Sequence, residues 1–202
     1  MGKGTIVREL LARDRALWFS VSATDRAPRP GEVEGRDYFF VGRPEFRRMR
    51  DSGALLEWFE VYGDLKGTPR SPIEERLLAG QDVLLEVDVQ GAMAVREAFP
   101  DALLIFVRPP SREVQQARLM ARDPDADAAE IETRLAAAAR EEDQAEEFDA
   151  VVLNDDLDRA VAEIAAILAG RRAESGSSGP TDGSPNPGAP KPGAPGSGAP
   201  GS

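Results

Sequence analysis

The sequence contains no cysteine and no histidine among its 202 residues. Disulfide staples, thiolate or imidazole metal sites, and mechanisms that need a Cys or His nucleophile or base are therefore excluded. Chemistry must fall to carboxylates, Lys, Arg, hydroxyls and the backbone. Positive charge is also in deficit: 25 Lys and Arg stand against 36 Asp and Glu, giving a net charge of −11 and a pI near 4.6. Such a surface repels phosphate backbones on average, so no nucleic-acid partner is expected, and any bound anion must meet a local cluster of arginines. Apolar runs are short of the roughly 18 to 20 residues that cross a bilayer, and the start Met-Gly-Lys-Gly-Thr is no signal peptide. No membrane partner is expected, and a cytoplasmic location is. Nothing in the sequence bears on oligomeric state.

What is present divides in two. From about Ala173 the chain becomes rich in Gly, Pro, Ser and Ala, with imperfect Gly-Ala-Pro repeats and no aromatic or branched apolar residue. A segment that can bury so little surface does not offset its backbone entropy, so 173–202 is expected to be a disordered tail. Residues 1–172 suffice for one domain.

Within that domain, Ile6, Val7, Leu10 and Leu11 mark a helix over Gly4 to Arg13. LWFSVSA (17–23) and DYFFV (37–41) read as short strands around a turn-rich stretch from Arg26 to Gly35. Pro44 to Gly53 reads as a helix stopped by its glycine. VLLEVDVQG (83–91) reads as a strand that presents Glu86 and Asp88 on one face near its carboxyl end. LLIFV (103–107) and AVVLN (150–154) look like parallel strands covered on both faces. Helices are expected over Ser111 to Arg122, Ala128 to about Glu147, and Leu157 to Arg171, the last behind the capping candidates Asp155 and Asp156. Strands alternating with helices predict an α/β domain with a mainly parallel sheet, whose ligands sit at the strands' carboxyl ends.

Several residues have the chemistry of an anion and base site. Gly2-Lys3-Gly4-Thr5 opens a helix, where backbone N–H groups and a lysine can hold a polyphosphate; a frayed helix end is the plainer reading. Pro28 and Pro30 favour polyproline geometry of about three residues per turn, which sends Arg26 and Arg29 to one side, where two guanidinium forks can bind a phosphate. Tyr38 can add a phenolic hydrogen bond. Glu57 lies in the apolar stretch LLEWFEV and needs a partner if buried; an ionised carboxylate matches the adjacent ring N–H and amine of guanine, whereas an exposed glutamate on a rim helix explains it equally. Asp88 can bond a base, hold a water on Mg²⁺, or pair with an arginine. Arg118, Arg122 and Arg134 flank the acidic run Asp123 to Asp127 and suit a mobile segment closing over phosphates, or ordinary helix ion pairs.

Taken in order, SVSATDRAPRPGE with DYFF, LLEW, GTPR, LLEVDVQGA, IFVRPPS and VVLNDDLDRA resemble the guanylate kinases from Gly2 to about Leu168. The resemblance implies an α/β phosphate-loop nucleoside monophosphate kinase, with a GMP-binding region at about 22–80 and a lid at about 111–142. It implies ATP and GMP as substrates, Mg²⁺ with the ATP, and no metal ligand assigned to a side chain. By this resemblance Ser22, Glu57, Thr68 and Asp88 contact guanine, and Arg26, Arg29 and Tyr38 hold the GMP phosphate; Lys66 is expected to join them although it departs from the family pattern. Lys3, Arg122 and Arg134 face the transferring phosphoryl group. Gly2, Lys3, Gly4, Thr5 and Asn154 hold ATP.

The sequence departs from the family pattern in three places. Asp25 stands where a threonine is usual, a like charge to the incoming phosphate that Lys66, in place of a usual tyrosine, is expected to offset. Asp123 replaces a usual glycine in the lid. Of the usual apolar strand and GPSGVGKGT loop only GKGT is present, so the native start is expected upstream and phosphoryl transfer by the 202 residues is expected to be impaired. A non-catalytic module of the same family, binding a phosphorylated or acidic partner through Arg26, Arg29 and Tyr38, is the alternative.

Overall fold

The computed structural model describes residues 2–61, 63–122 and 128–175. The acidic run 123–127 and the expected disordered tail beyond 175 lie outside the described residues. The apolar stripe near the amino terminus becomes α1 (Lys3–Arg13), with Ile6, Val7, Leu10 and Leu11 all buried. It begins at Gly2, whose φ of 83° lies in the left-handed region that favours glycine.

Two layers of strands follow, and they differ in kind. The first is parallel: β1 (Leu17–Phe19) pairs with β6 (Asp82–Leu84), while β7 (Ile105–Arg108) pairs with β8 (Ala150–Leu153). Alternation along these strands splits the core. Leu17, Phe19, Leu84, Ile105 and Val152 pack toward α1 and α7 (Leu157–Ser175). Trp18, Val83, Leu85 and Leu104 pack toward α3 (Arg70–Leu78) and α4 (Val89–Ala98). Helices thus cover both sides, as a parallel layer requires.

The second layer comprises β2 (Ala23–Thr24), β3 (Phe39–Phe40), β4 (Leu55–Val61) and β5 (Asp64–Pro69) in the order β3-β2-β5-β4. Only β2 and β3 run parallel; β4, β5 and β2 are antiparallel neighbours. Helix α2 (Arg43–Asp51) closes one side of this sheet with Phe46, fully buried against Ala23, Leu55 and Leu65. Gly53 follows it at φ 72°, as its expected role in ending the helix requires. Helices α5 (Arg112–Arg122) and α6 (Ala128–Glu142) pack on each other.

The expected elements need correcting in several places. The stretch 17–23 is two strands in two sheets, because the chain leaves the parallel pair after Phe19 and joins the antiparallel sheet at Ala23. The strand expected over 83–91 is paired only to Leu84; Asp88 instead caps α4, accepting from the Gly91 N–H at 2.8 Å. β8 is not covered on both faces, since Val151 and Leu153 remain 43% and 41% exposed at the edge of the layer. The helix expected through Glu147 stops at Glu142 and resumes as a 3₁₀ turn, Ala145–Glu147. Helix α7 continues to Ser175, capped by Asp156, whose carboxylate accepts the Arg159 N–H at 2.9 Å. Arg172 on that helix ties Asp14 after α1 to Asp82 at the start of β6, each at 2.6 Å.

The parallel layer is divided. Between the run Val83 to Val87 on one side and Leu103 to Val107 on the other lies an apolar cleft of about 510 Å³, walled by Ile6 and Leu10 of α1 and by Ala92 and Val95 of α4. Among the described residues, the strands β6 and β7 that border it each pair on one side only.

Candidate active site

The antiparallel sheet assembles a carboxylate pocket. Glu57 on β4 is paired in register with Thr68 on β5, and Thr68 donates its hydroxyl to Glu57 Oε1. Glu57 is only 7% exposed, and its other oxygen, Oε2, is buried with no hydrogen-bond partner among the described residues. Burial pushes the Glu57 carboxyl above its ordinary value; the Thr68 hydrogen bond opposes this, and the neighbouring charge of Asp88 adds to it. Asp88 reaches the same place from the start of α4: a side chain on Gly91 would sit 3.4 Å from Asp88 Oδ1 and 3.5 Å from Glu57 Oε2. Ser22, one residue beyond the paired Ala23 and Gly67, comes level with Thr68 on the neighbouring strand. Gly67 is required where it stands, since a Cβ would lie 2.8 Å from the Glu57 carbonyl and 2.9 Å from Leu55. Four residues expected from the sequence therefore converge, and they leave one buried acceptor open.

Beside this pocket the sheet gathers positive charge. The guanidinium of Arg26 lies 5.0 Å from the centre of the Tyr38 ring and 5.6 Å from that of Phe40, and the Lys66 ammonium lies 4.6 Å from Tyr38. Arg26, Tyr38 and Lys66 thus form one cluster, held by cation–π contacts. Arg29 is more exposed: its backbone N–H donates to Glu32, on which its charge also acts. Asp25 differs from expectation. Its side chain is 3% exposed and is used internally, accepting from Arg43 Nε at 2.5 Å and from the Leu65 N–H at 2.6 Å, so it is neutralised rather than offered to an anion.

At the start of α1, Lys3 donates to the Val87 carbonyl at 2.9 Å. Burial raises the Glu141 carboxyl on α6, with the Lys3 charge pulling it down and Asp88 pushing it up, so these three groups share one region. Gly2 lies against buried Asn154: a Cβ there would be 2.7 Å from Asn154 Nδ2. Gly4 similarly faces Glu86, and Thr5 accepts from Arg8 at 3.4 Å. Arg118 on α5 donates to the Asn154 carbonyl at 3.2 Å, which places it beside Gly2. Arg134 is half-buried on α6, and Arg122 ends α5 with its side chain outside the described residues. Among the described residues, no three acidic side chains gather closely enough to hold a metal ion, and no helix is long and apolar enough to cross a membrane.

This arrangement has counterparts. The family model for guanylate kinase matches residues 1–171. The guanylate kinase of Rhodococcus jostii is 48% identical over 180 residues, spanning 88% of this chain and 86% of its own. That of Symbiobacterium thermophilum is 47% identical over 179 residues, spanning 89% and 84%. The crystal structure of guanylate kinase from Anaplasma phagocytophilum matches with a TM-score of 0.70 at 36% identity, over 85% of this chain and 81% of that one. The chain belongs to the guanylate kinase family.

It is accordingly a kinase, a nucleotide-binding transferase with the α/β fold of that family. Two residues in contact with the candidate site residues were given no part in the sequence reading. Arg118 was grouped with Arg122 and Arg134 but given no part, because its approach to Asn154 depends on how α5 packs. Glu32 stands inside the quoted APRPGE run, only three residues after Arg29, yet spacing alone does not reveal which cation it binds.

Proposed function

We propose that the chain transfers the γ-phosphoryl group of ATP to GMP, giving GDP and ADP. The observation that carries this reading is the buried, unpartnered Oε2 of Glu57 beside Thr68 and Asp88. A carboxylate so placed accepts from the ring N–H and exocyclic amine of guanine, and adenine leaves it unsatisfied. Ser22 and Thr68 border the base, and Arg26, Tyr38, Lys66 and the more exposed Arg29 meet the phosphate.

A phosphate oxygen of GMP attacks the γ-phosphorus as the bond to the ADP oxygen breaks; no side-chain base is needed if the two are held in line. Lys3, Arg122 and Arg134 neutralise charge on the moving group, and Gly2, Gly4, Thr5 and Asn154 border ATP. Glu86 and Asp88 are the carboxylates that would help hold Mg²⁺ beside the phosphates and water, and the ion would offset charge that develops on the phosphates.

The apolar cleft beside β6 supports a reduced transfer capacity for the 202 residues. One more extended segment between β6 and β7 would pair both open edges and lead into Lys3 with additional backbone donors for ATP. The same cleft is the observation that favours a non-catalytic module for a phosphorylated or acidic partner.

Calorimetry with GMP and AMP, followed by coupled ADP-release assays of this chain and of a version extended upstream by an apolar strand and a glycine-rich loop, separates these readings. GMP binding selective by about 10⁴ over AMP, with turnover restored or increased in the extended version, supports the kinase. Equal binding of AMP removes the guanine assignment, and inactivity of both versions with retained phosphopeptide affinity favours the module.

A further inference from the structure

Glu32 has no part in the reading above, yet its carboxylate is the most heavily engaged of the arginine loop. Arg26 Nη1 donates to Glu32 Oε2 at 2.7 Å and Arg26 Nη2 donates to Oε1 at 2.6 Å, an end-on bidentate pair. The Arg29 N–H donates to Oε2 at 2.7 Å, while the Glu32 N–H donates back to the Arg29 carbonyl at 3.0 Å and closes the turn. Arg26 Nη1 directs its second N–H to the Ala27 carbonyl at 2.9 Å. Of the five guanidinium hydrogens this leaves the one on Nε and one on Nη2, the side-on edge, available to a second oxyanion.

We propose that Glu32 is a positioning residue, which clamps Arg26 end-on and the Arg29 amide so that the loop presents the side-on edge of Arg26 to the nucleotide phosphate. The inference rests on the reading that a GMP phosphate binds in this cluster. Between β2 and β3 the loop has no helix or paired strand of its own beyond a single bridge between Glu34 and Tyr38, so the clamp does what secondary structure does elsewhere. Two effects oppose each other. Glu32 subtracts from the positive potential that attracts the phosphate, but it spares the ligand the entropy of ordering several residues and two long arginine side chains. The loop is partly solvated and its charges are screened, so ordering is the larger effect. Glu32 also stays ionised at every working pH: the Arg26 hydrogen bond, with help from the Arg29 amide, lowers its carboxyl to about 2.

Calorimetry on the full chain with GMP and with guanosine, for the wild type, Glu32→Gln and Glu32→Asp, tests the clamp, with thermal unfolding of each protein measured alongside. The expected result is about tenfold weaker GMP binding by Glu32→Gln, unchanged guanosine binding, and partial recovery in Glu32→Asp, since only the phosphate receptor loses order. GMP binding by Glu32→Gln that equals or exceeds the wild type overturns the proposal and makes Glu32 a competitor for Arg26. Equal weakening of guanosine also overturns it, in favour of a general effect on the sheet. If the wild type binds neither ligand, the substrate reading falls and the clamp with it.

Discussion

The antiparallel sheet and the parallel layer are built to different degrees of completion. From β3 to β4 each strand has a neighbour in register, Phe46 seals the underside, and the charged groups Asp25, Arg26, Glu32 and Arg43 are paired with one another. In the parallel layer, β6 and β7 each have one neighbour and face the cleft between them. On the proposed reading, the recognition of a base and a phosphate is therefore preorganised by elements that do not depend on the cleft. The residues proposed for phosphoryl transfer stand elsewhere, since Lys3 and the start of α1 lie at the divided layer.

The largest expected effect breaks the comparison at its stronger side. Glu57→Gln replaces the open acceptor with a donor and is expected to reduce discrimination of GMP over AMP by about 10³-fold, measured by calorimetry with both nucleotides. The same change is expected to raise the melting temperature at pH 7. Burial raises the folded-state value of Glu57, so stability falls as pH rises from the ordinary carboxylate range through that value; glutamine removes that slope.

Next, the same kind of truncation is expected to cost differently in the two halves. Phe46→Ala, under the antiparallel sheet, is expected to lose about 3–5 kcal/mol in urea unfolding, whereas Leu85→Ala, which lines the cleft, loses about 1 kcal/mol or less. A larger cost for Leu85→Ala in a version with an added strand would sharpen the contrast, since the side chain would then face a packed neighbour.

Lys66→Ala is expected to raise the Michaelis constant for GMP about tenfold with little change in that for ATP, because a charge-assisted phosphate contact is lost. An unchanged GMP constant would confine Lys66 to its contact with Tyr38. The smallest effect is on acid stability. Glu32 has a lowered value, so its stabilisation is present above the ordinary carboxylate range and disappears as pH falls toward about 2. Glu32→Gln is expected to flatten the acid limb slightly, as its partner is partly exposed.

Sequence pattern revealed one-sided helices best, since Ile6, Val7, Leu10 and Leu11 in α1 obey a single period whatever surrounds them. It misjudged strands whose fate depends on neighbours. The run 83–91 has the right residues for a long strand, but pairing stops at Leu84 where the layer is divided. The hairpin of β4 and β5 was not anticipated, because LLEWFEV mixes apolar and acidic residues on a face whose partner, Thr68, lies eleven residues away. In the site, chemical type was legible and contact was not. Glu57 announced itself as a carboxylate that needs a partner, whereas the engagement of Asp25 by Arg43, and of Arg26 by Glu32, is decided by loop paths that no local spacing encodes.

Lys66 and Thr68 occupy alternate positions of β5, on either side of Gly67, and so emerge on one face about 7 Å apart. On the proposed reading one serves the phosphate and the other the base, so the strand repeat itself would act as a ruler for the nucleotide. A nucleoside without phosphate, or one carrying a longer phosphate chain, reaches only one mark correctly. Selection by length would then be written into the backbone, independently of the groups that read the base.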